Sequence, residues 1–449
     1  MKRLLVMLLL GAAAAFAQES RITVPYTRFS MPNGLDVVLH EDHTTPTITV
    51  NCWYHVGSSR EKPGRTGFAH LFEHLMFMGS PHVPEGMFDQ WLESAGGDNN
   101  ASTTEDRTNY YEDAPVNALE LPLFLESDRM GYLPQSMTPE KVDLQRSVVK
   151  NERRQSYENR PYGMAGILLS ENLFPPEHPY HWPVIGSMED LSAATFQDVL
   201  EFFKKYYNPN NASLVVAGDI DPVKARIQVE KWFGEIPPGD PLPLQSPAPV
   251  NITQEKRLVY EDKVQLPRLY MAWVTPVRFA PGDAELDLLA SVLSSGKTSR
   301  LYKLLVYDMQ IAQDVTAEQG SNHLASTFMI VATARAGHTL RELESVIQEE
   351  IDRIKAQPPA SREVQRAVNQ YEASFYRRLE RVGGFGGKAD QLNSYLFYTG
   401  NPDYFNEDLA RYRAIDATDV GTVASTYLRD NGRVVLSVVP VGKKELSAK

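Results

Sequence analysis

The sequence predicts an α+β protein of two similar sandwich domains, and three observations carry that expectation. Strand-like and helix-like segments are mixed along the whole chain, without the short βαβ rhythm of a parallel sheet. Six prolines fall between Pro237 and Pro249, and this Pro-rich linker at 237–250 divides the chain into halves of similar length, 25–236 and 251–449. Each half opens on alternating apolar residues, turns helical and closes on a strand-like run, so the order of elements is duplicated where the residues are not.

In the first half, Leu35, Val37 and Leu39, then Ile48, Val50 and Cys52, alternate with period two and predict strands. TGFAHLFEHLMFMGS follows as a helix. In the second half Val264, Leu269, Met271 and Trp273 take the strand part, and AELDLLASVLSSGKTSRLYKLL the helical one. Leu340, Leu343, Val346, Ile347, Ile351 and Ile354, then Val364, Val368, Tyr371, Phe375 and Leu379, recur at helical spacing and predict two amphipathic core helices. SLVVAG at 213–218 and RVVLSVVP at 433–440 close the two halves as strands.

Composition narrows the function. Of 449 residues 42% are apolar and 23% charged, which excludes a disordered or low-complexity chain. The opening MKRLLVMLLLGAAAAFAQES sets Lys2 and Arg3 before an apolar run, with small residues at Ala15 and Ala17, the pattern of a secretory signal peptide over residues 1–17. That run is shorter than the roughly 20 residues of a membrane span. Cleavage after Ala17 would leave 432 residues with no membrane span, periplasmic or secreted. Loss of the two leader cations takes the net charge from −12 to −14, which opposes nucleic-acid binding. Cys52 is the single cysteine, so a metal would have to be held by histidines and carboxylates.

The informative stretch is His70-Leu71-Phe72-Glu73-His74. On a helix His70 and His74 lie one turn apart, about 6 Å along the axis, so both imidazoles can reach one ion, and Glu73 shares their face. Phe68, Leu71, Phe72 and Leu75 take the opposite side. Zinc on two imidazoles leaves the Glu beside a bound water, where a general base is needed. The competing reading is an ordinary exposed face; with this composition a chance match is expected about 0.03 times per chain. The order of residues is the inverted zinc-peptidase signature.

A hydrolytic zinc needs a third protein ligand, and Glu152 is the best candidate. The segment from Thr138, with Pro139 in its first turn, carries an apolar stripe of Val142, Leu144, Val148 and Val149 that Glu152 continues. An unpaired carboxylate there is costly. Zinc would satisfy it, and so would Arg146, Arg153 or Arg154; periodicity leaves both open.

WYHVGSSREKPGRTGFA before HLFEH, then GGDNNASTTEDRTNYY, VVKNERRQ and RPYG, and further on NLFPPEHPYHWPVIGS and KADQLNSYLFYTGNP, carry a resemblance over nearly the whole mature chain. Together they resemble the pitrilysin or insulinase family of zinc peptidases, in a short form similar to the mitochondrial processing peptidase β subunit. The resemblance implies two α/β sandwich domains that form one half of a clamshell, the first binding Zn2+ and the second without a metal site. It implies that His70, His74 and Glu152 are the ligands and Glu73 the catalytic base. In the family an Asn-Ala pair meets the substrate backbone, which maps onto Asn100 and Ala101. The residues themselves show a run from Asp98 to Thr104 without large apolar residues, in which Thr103 and Thr104, like Thr108, Tyr110 and Tyr111 after it, favour strands. That suits an open edge strand or a surface loop. Two positions depart from the family. Val306 and Gln313 stand where double-length relatives carry an Arg and a Tyr that grip substrate, and Gln145 stands where many carry a second Glu.

The expected activity is that of a zinc-dependent metalloendopeptidase of an exported compartment, hydrolysing extended peptides or unfolded segments. The alternative is a non-catalytic peptide-binding or scaffold subunit. A chain that amounts to half a clamshell and lacks the Arg/Tyr pair is expected to join a homologous exported subunit that lacks HxxEH and supplies that pair, as a heterodimer; a homodimer is the alternative. His55 reads as a packed strand residue, and His178 and His181 as residues that order a loop.

Overall fold

The structure, a computed structural model, describes residues 21–449, so the leader expected at 1–17 lies outside the described residues. Strands β1 (Thr27–Ser30), β2 (Asp36–Glu41), β3 (Thr47–Tyr54), β4 (Asp98–Thr103), β5 (Thr108–Pro115) and β6 (Ala212–Gly218) form one sheet in the order β1-β2-β6-β3-β5-β4. Only the β2–β6 pair is parallel. A second sheet runs β7-β11-β8-β10-β9, from β7 (Lys256–Asp262), β8 (Arg268–Thr275), β9 (Ala312–Gly320), β10 (Ser326–Ala334) and β11 (Arg433–Pro440), and only β7–β11 is parallel. Strand for strand this repeats β2-β6-β3-β5-β4. The duplicated pattern of the sequence is therefore a duplicated topology, with β1 added at one edge. Val264 is in the turn between β7 and β8 rather than in a strand.

Helices α1 (Phe68–Leu75), α2 (Met87–Ser94), α3 (Glu120–Ser136), α4 (Pro139–Arg153), α5 (Ala165–Leu173), α6 (Met188–Ala193), α7 (Phe196–Tyr206) and α8 (Pro222–Phe233) precede the Pro-rich stretch. Helices α9 (Asp283–Ser294), α10 (Leu340–Ala356), α11 (Ser361–Leu379), α12 (Lys388–Thr399), α13 (Phe405–Arg413) and α14 (Ala417–Tyr427) follow it. One face of the first sheet packs on the early helices, around Val50, Cys52, Phe72, Val149 and Phe233. Its other face, with Val38, Val215 and Ala217, is covered by Phe375, Leu392 and Phe405 from α11, α12 and α13. The second sheet has the reverse arrangement: late helices cover one face, and Ala165, Leu169 and Leu173 of α5 pack against Tyr270, Ala272 and Val434 on the other. Residues 237–250 thus separate the two sheets without separating their helical cover. Central strands β6 and β11 are buried along their whole length because both faces are covered.

Polar contacts follow the same exchange. Lys388 Nζ pairs with Asp42 Oδ2 at 2.5 Å, and Asn393 Nδ2 donates to Asn51 O at 2.9 Å while its carbonyl accepts from Ser213 Oγ at 2.7 Å. The Pro-rich stretch lies on the first half, where Arg60 Nη1 donates to Pro243 O (2.7 Å) and Gln245 Nε2 to Ser59 O (2.6 Å). Among the described residues no helix is long and apolar enough to cross a membrane.

Candidate metal centre

Helix α1 enters through Gly67, at φ +87°, where a Cβ would stand 2.8 Å from Ile185 O, so only glycine fits the turn. Its first turn is held by Glu61, whose carboxylate accepts the N–H groups of Gly67 (2.9 Å) and Ala69 (2.8 Å). Burial pushes Glu61 up to about 8 against these donors. Phe68, Leu71, Phe72 and Leu75 are buried, and His70, Glu73 and His74 form the half-buried stripe on the other side.

Helix α4 starts as its sequence predicts, with Pro139 in the first turn and Thr138 Oγ1 accepting from Lys141 N at 3.4 Å. Its buried stripe differs from the predicted one. Val142 and Val149 are buried, whereas Leu144 is 52% and Val148 40% exposed. The face that packs toward α1 runs Val142, Gln145, Val149, Glu152, at steps of three and four. Two of the three arginines that could compete for Glu152 are engaged elsewhere: Arg146 Nη1 donates to Ala194 O (3.0 Å), and Arg153 donates to Gly186 O (2.8 Å) and pairs with Glu158 (3.2 Å).

Glu152 Oε2 lies 3.7 Å from His70 Nε2 and 3.3 Å from His74 Nε2, and the three ligand atoms all fall within 4.8 Å of one another. A tetrahedral ion with bonds of about 2.0–2.1 Å needs its ligand atoms roughly 3.4 Å apart, which these separations approach. Burial pushes His70 down to about 4, so its ring is neutral with a free lone pair. A hydrogen bond with His74 holds Glu152 below the usual carboxylate range. A neutral imidazole and an ionised carboxylate are donors that suit zinc.

Glu73 stands beside this cluster, not in it. Thr103 Oγ1, on β4, donates to Glu73 Oε2 at 2.6 Å. Burial raises the Glu73 carboxyl and this hydrogen bond opposes the rise. Glu73, His74, Phe77, Asn100 and Ala101 line one cleft of about 340 Å³. Asn100 and Ala101 belong to β4, the terminal strand of its sheet. Thr104 N donates to Arg107 O at the hairpin end. By antiparallel alternation, Ser102 and Asn100 then pair with β5, while the main-chain groups of Asn99, Ala101 and Thr103 face the open edge. There Ala101 N–H donates only to the Asn100 side chain, at 2.8 Å.

The other singled-out residues lie apart from the cluster. Gln145 Nε2 donates to Met78 Sδ at 2.7 Å, Val306 packs on the second core and Gln313 is exposed on β9. His55 is 3.2 Å from Ser213 Oγ and packs against Phe397 with the rings tilted, and burial pushes it down to about 4. His178 and His181 bond to the backbone of Tyr180 and Phe174, as loop-ordering residues do. Sequence reasoning missed Glu61 and Thr103. Nothing local marks Thr103, 30 positions from Glu73, while an acid shortly before a helix start is a recognisable capping signal for Glu61.

A family model described as Insulinase (Peptidase family M16) matches residues 36–172, and one described as Peptidase M16 inactive domain matches 193–371. Zinc protease PqqE of Helicobacter pylori is 27% identical over 415 residues, 92% of each chain. The probable mitochondrial-processing peptidase subunit beta of Arabidopsis thaliana is 22% identical over 443 residues, 95% of this chain and 79% of that one. Among solved structures, a protease from Helicobacter pylori aligns with a TM-score of 0.86 at 26% identity, over 93% of this chain and 100% of that one. The first half of the periplasmic protease PqqL from Escherichia coli aligns at 0.74 and 17% identity over 92% of each, a likeness of fold.

Proposed function

The chain belongs to the insulinase (M16) peptidase family, and from that premise we propose that it is a zinc-dependent metalloendopeptidase cutting extended peptides or unfolded segments. The observation that carries this reading is the convergence of His70, His74 and Glu152 with Glu73 held alongside. Those three residues would hold the metal, in a zinc-binding domain at 25–236, and the reading assigns no metal to the domain at 251–449. Zinc, when bound, supplies Lewis acidity toward the scissile carbonyl and lowers the pKa of water. Glu73, oriented by Thr103, takes the proton from the attacking water and delivers it to the leaving amine. The open edge of β4 pairs with the peptide main chain, Ala101 N–H exchanging its bond to Asn100 for one to substrate.

Glu73→Gln is expected to keep close to one zinc per chain and lose hydrolysis, because the amide is nearly isosteric and accepts no proton. His70→Ala or Glu152→Ala loses the zinc. Cleavage by Glu73→Gln at the parent rate would overturn the role of Glu73. A zinc-free chain that still binds peptides would instead establish the scaffold reading.

We also propose export, with the leader removed after Ala17, which a mature N-terminus at Gln18 would demonstrate. Val306 and Gln313 offer neither a guanidinium nor a phenol to a peptide carbonyl, so the reading favours a heterodimer whose partner lacks HxxEH and supplies an Arg/Tyr pair. Full turnover by the isolated chain, unchanged by such a partner, would leave the homodimer or monomer.

A further inference from the structure

The two faces of β4 meet different surroundings. Ala101 and Thr103 face α1, one packed on the core and the other bonded to Glu73. Ser102 faces away, where its hydroxyl donates to Asn109 Oδ1 at 2.7 Å. On that second face Arg107 Nη1 donates to both Ser102 O and Ser102 Oγ at 2.7 Å, with its guanidinium 5.0 Å from the centre of the Trp53 ring. Arg107 also lines a cavity of about 800 Å³, walled by Trp53 of β3, by Thr104 between β4 and β5, and by α9, α11 and α12.

Five arginines, Arg411 among them, and four aspartates line this cavity, an excess of one positive charge. Arg107, Arg278, Arg377 and Arg378 line it, and none of them has a carboxylate oxygen within 4.0 Å among the described residues. Arg278 stands 4.8 Å over the Tyr398 ring, bonds to Ser321 O, and has a buried Nε without a partner. Arg378 stands 5.7 Å over Phe375. The carboxylates present are hydrogen-bonded, and Asp287 and Asp390 also attract Arg278 and Arg107 beyond ion-pair distance. Asp283 and Asp408 bind Arg411 at 3.0 and 2.9 Å, and Asp287 accepts from Tyr412 at 2.6 Å. Asp390 accepts from Trp53 Nε1, Asn109 Nδ2 and Gly386 N. Guanidinium groups already stacked on aromatic faces lose little freedom on binding a carboxylate in bidentate fashion.

We propose that this cavity is a carboxylate subsite for the substrate, taking an acidic side chain or a free C-terminus of a peptide paired along β4. The inference rests on the peptidase reading. An extended peptide presents successive side chains to opposite faces, so residues next to those facing Glu73 point toward Arg107 and the cavity mouth.

The test uses the zinc-loaded Glu73→Gln chain, which binds without turnover, and fluorescence anisotropy of labelled peptides. One series has an amidated C-terminus and a single Glu replacing Gln at each position in turn. A neutral amidated peptide is the reference, and the same peptide with a free C-terminus is the second arm. At least one carboxylate peptide is expected to bind about tenfold or more tightly than the neutral one. If side chains are the source, the preference recurs at alternate positions; if the terminus is, only the second arm shows it. Adding Arg278→Gln or Arg378→Gln brings the ratio near one, and Arg378, half-exposed, guards against loss of fold at Arg278. Equal binding of all peptides, or a ratio indifferent to both substitutions, overturns the subsite and leaves the peptidase reading standing. Failure of every peptide to bind overturns both.

Discussion

Lys388→Met should destabilise the whole molecule, and by a pH-dependent amount. Lys388 opens α12, the late helix laid across the first sheet, and its ammonium meets Asp42 just past β2 at 2.5 Å, the two side chains being 18% and 6% exposed. Thr44 N and Oγ1 also donate to Asp42, at 3.0 and 2.6 Å. Burial opposes the charge, yet Lys388 and Thr44 hold Asp42 well below the usual carboxylate range. Removing the lysine leaves a buried carboxylate without its counter-charge, which costs roughly 3–5 kcal/mol when a buried pair is broken; the partial exposure of Lys388 puts the expected loss at the lower end. The sign in pH follows from the depressed value. Stabilisation by Asp42 is fully present above its unfolded pKa of about 3.9 and disappears as pH falls through the folded value. Urea denaturation followed by circular dichroism should therefore show a wild-type advantage of about 3 kcal/mol at pH 7 that shrinks below about pH 4. Asp42→Asn added to Lys388→Met should recover part of it. Equal stability at pH 7, or a gap that stays constant down to pH 3, would refute the reasoning.

Thr103→Val removes the hydroxyl that orients Glu73 and should lower kcat about 10–100-fold with zinc content unchanged, while Thr103→Ser restores most of it. Ala101→Pro deletes an N–H that faces the open edge, so the fold should survive thermal melting while KM rises about tenfold; Ser102→Pro, which removes an N–H paired with β5, should lower Tm instead. Val149→Ala should cost roughly 2 kcal/mol in the core, whereas Leu144→Lys, on the exposed side of the same helix, should stay within about 0.5 kcal/mol in the same denaturation assay.

The histidines and the proposed base are legible in the sequence because all three fall within five consecutive positions of one helix, where spacing alone sets their mutual geometry. Glu152 is harder. A period of 3.6 accommodates both Val142 with Val149 and Leu144 with Val148, and which pair is buried depends on where α1 lies, a fact outside the segment. Helix α11 makes the same point more sharply. Its apolar stripe reads as one core face, yet Val364 and Val368 pack into the second core while Phe375 packs on the first sheet. Periodicity reports that a face is covered and is silent about what covers it. The polar residues Asn51 and Ser213 are buried for that reason: their partner Asn393 arrives from 342 and 180 positions away. The metal cluster escapes this difficulty because α1 and α4 lie within one stretch, 68–153, on the face of the first sheet that its own half covers. The opposite face of the same sheet is completed by residues beyond 278. A single sequence therefore discloses the proposed metal site more readily than the proposed subsite: the candidate ligands and base come from neighbouring helices, and the walls of the cavity come from helices exchanged between the halves.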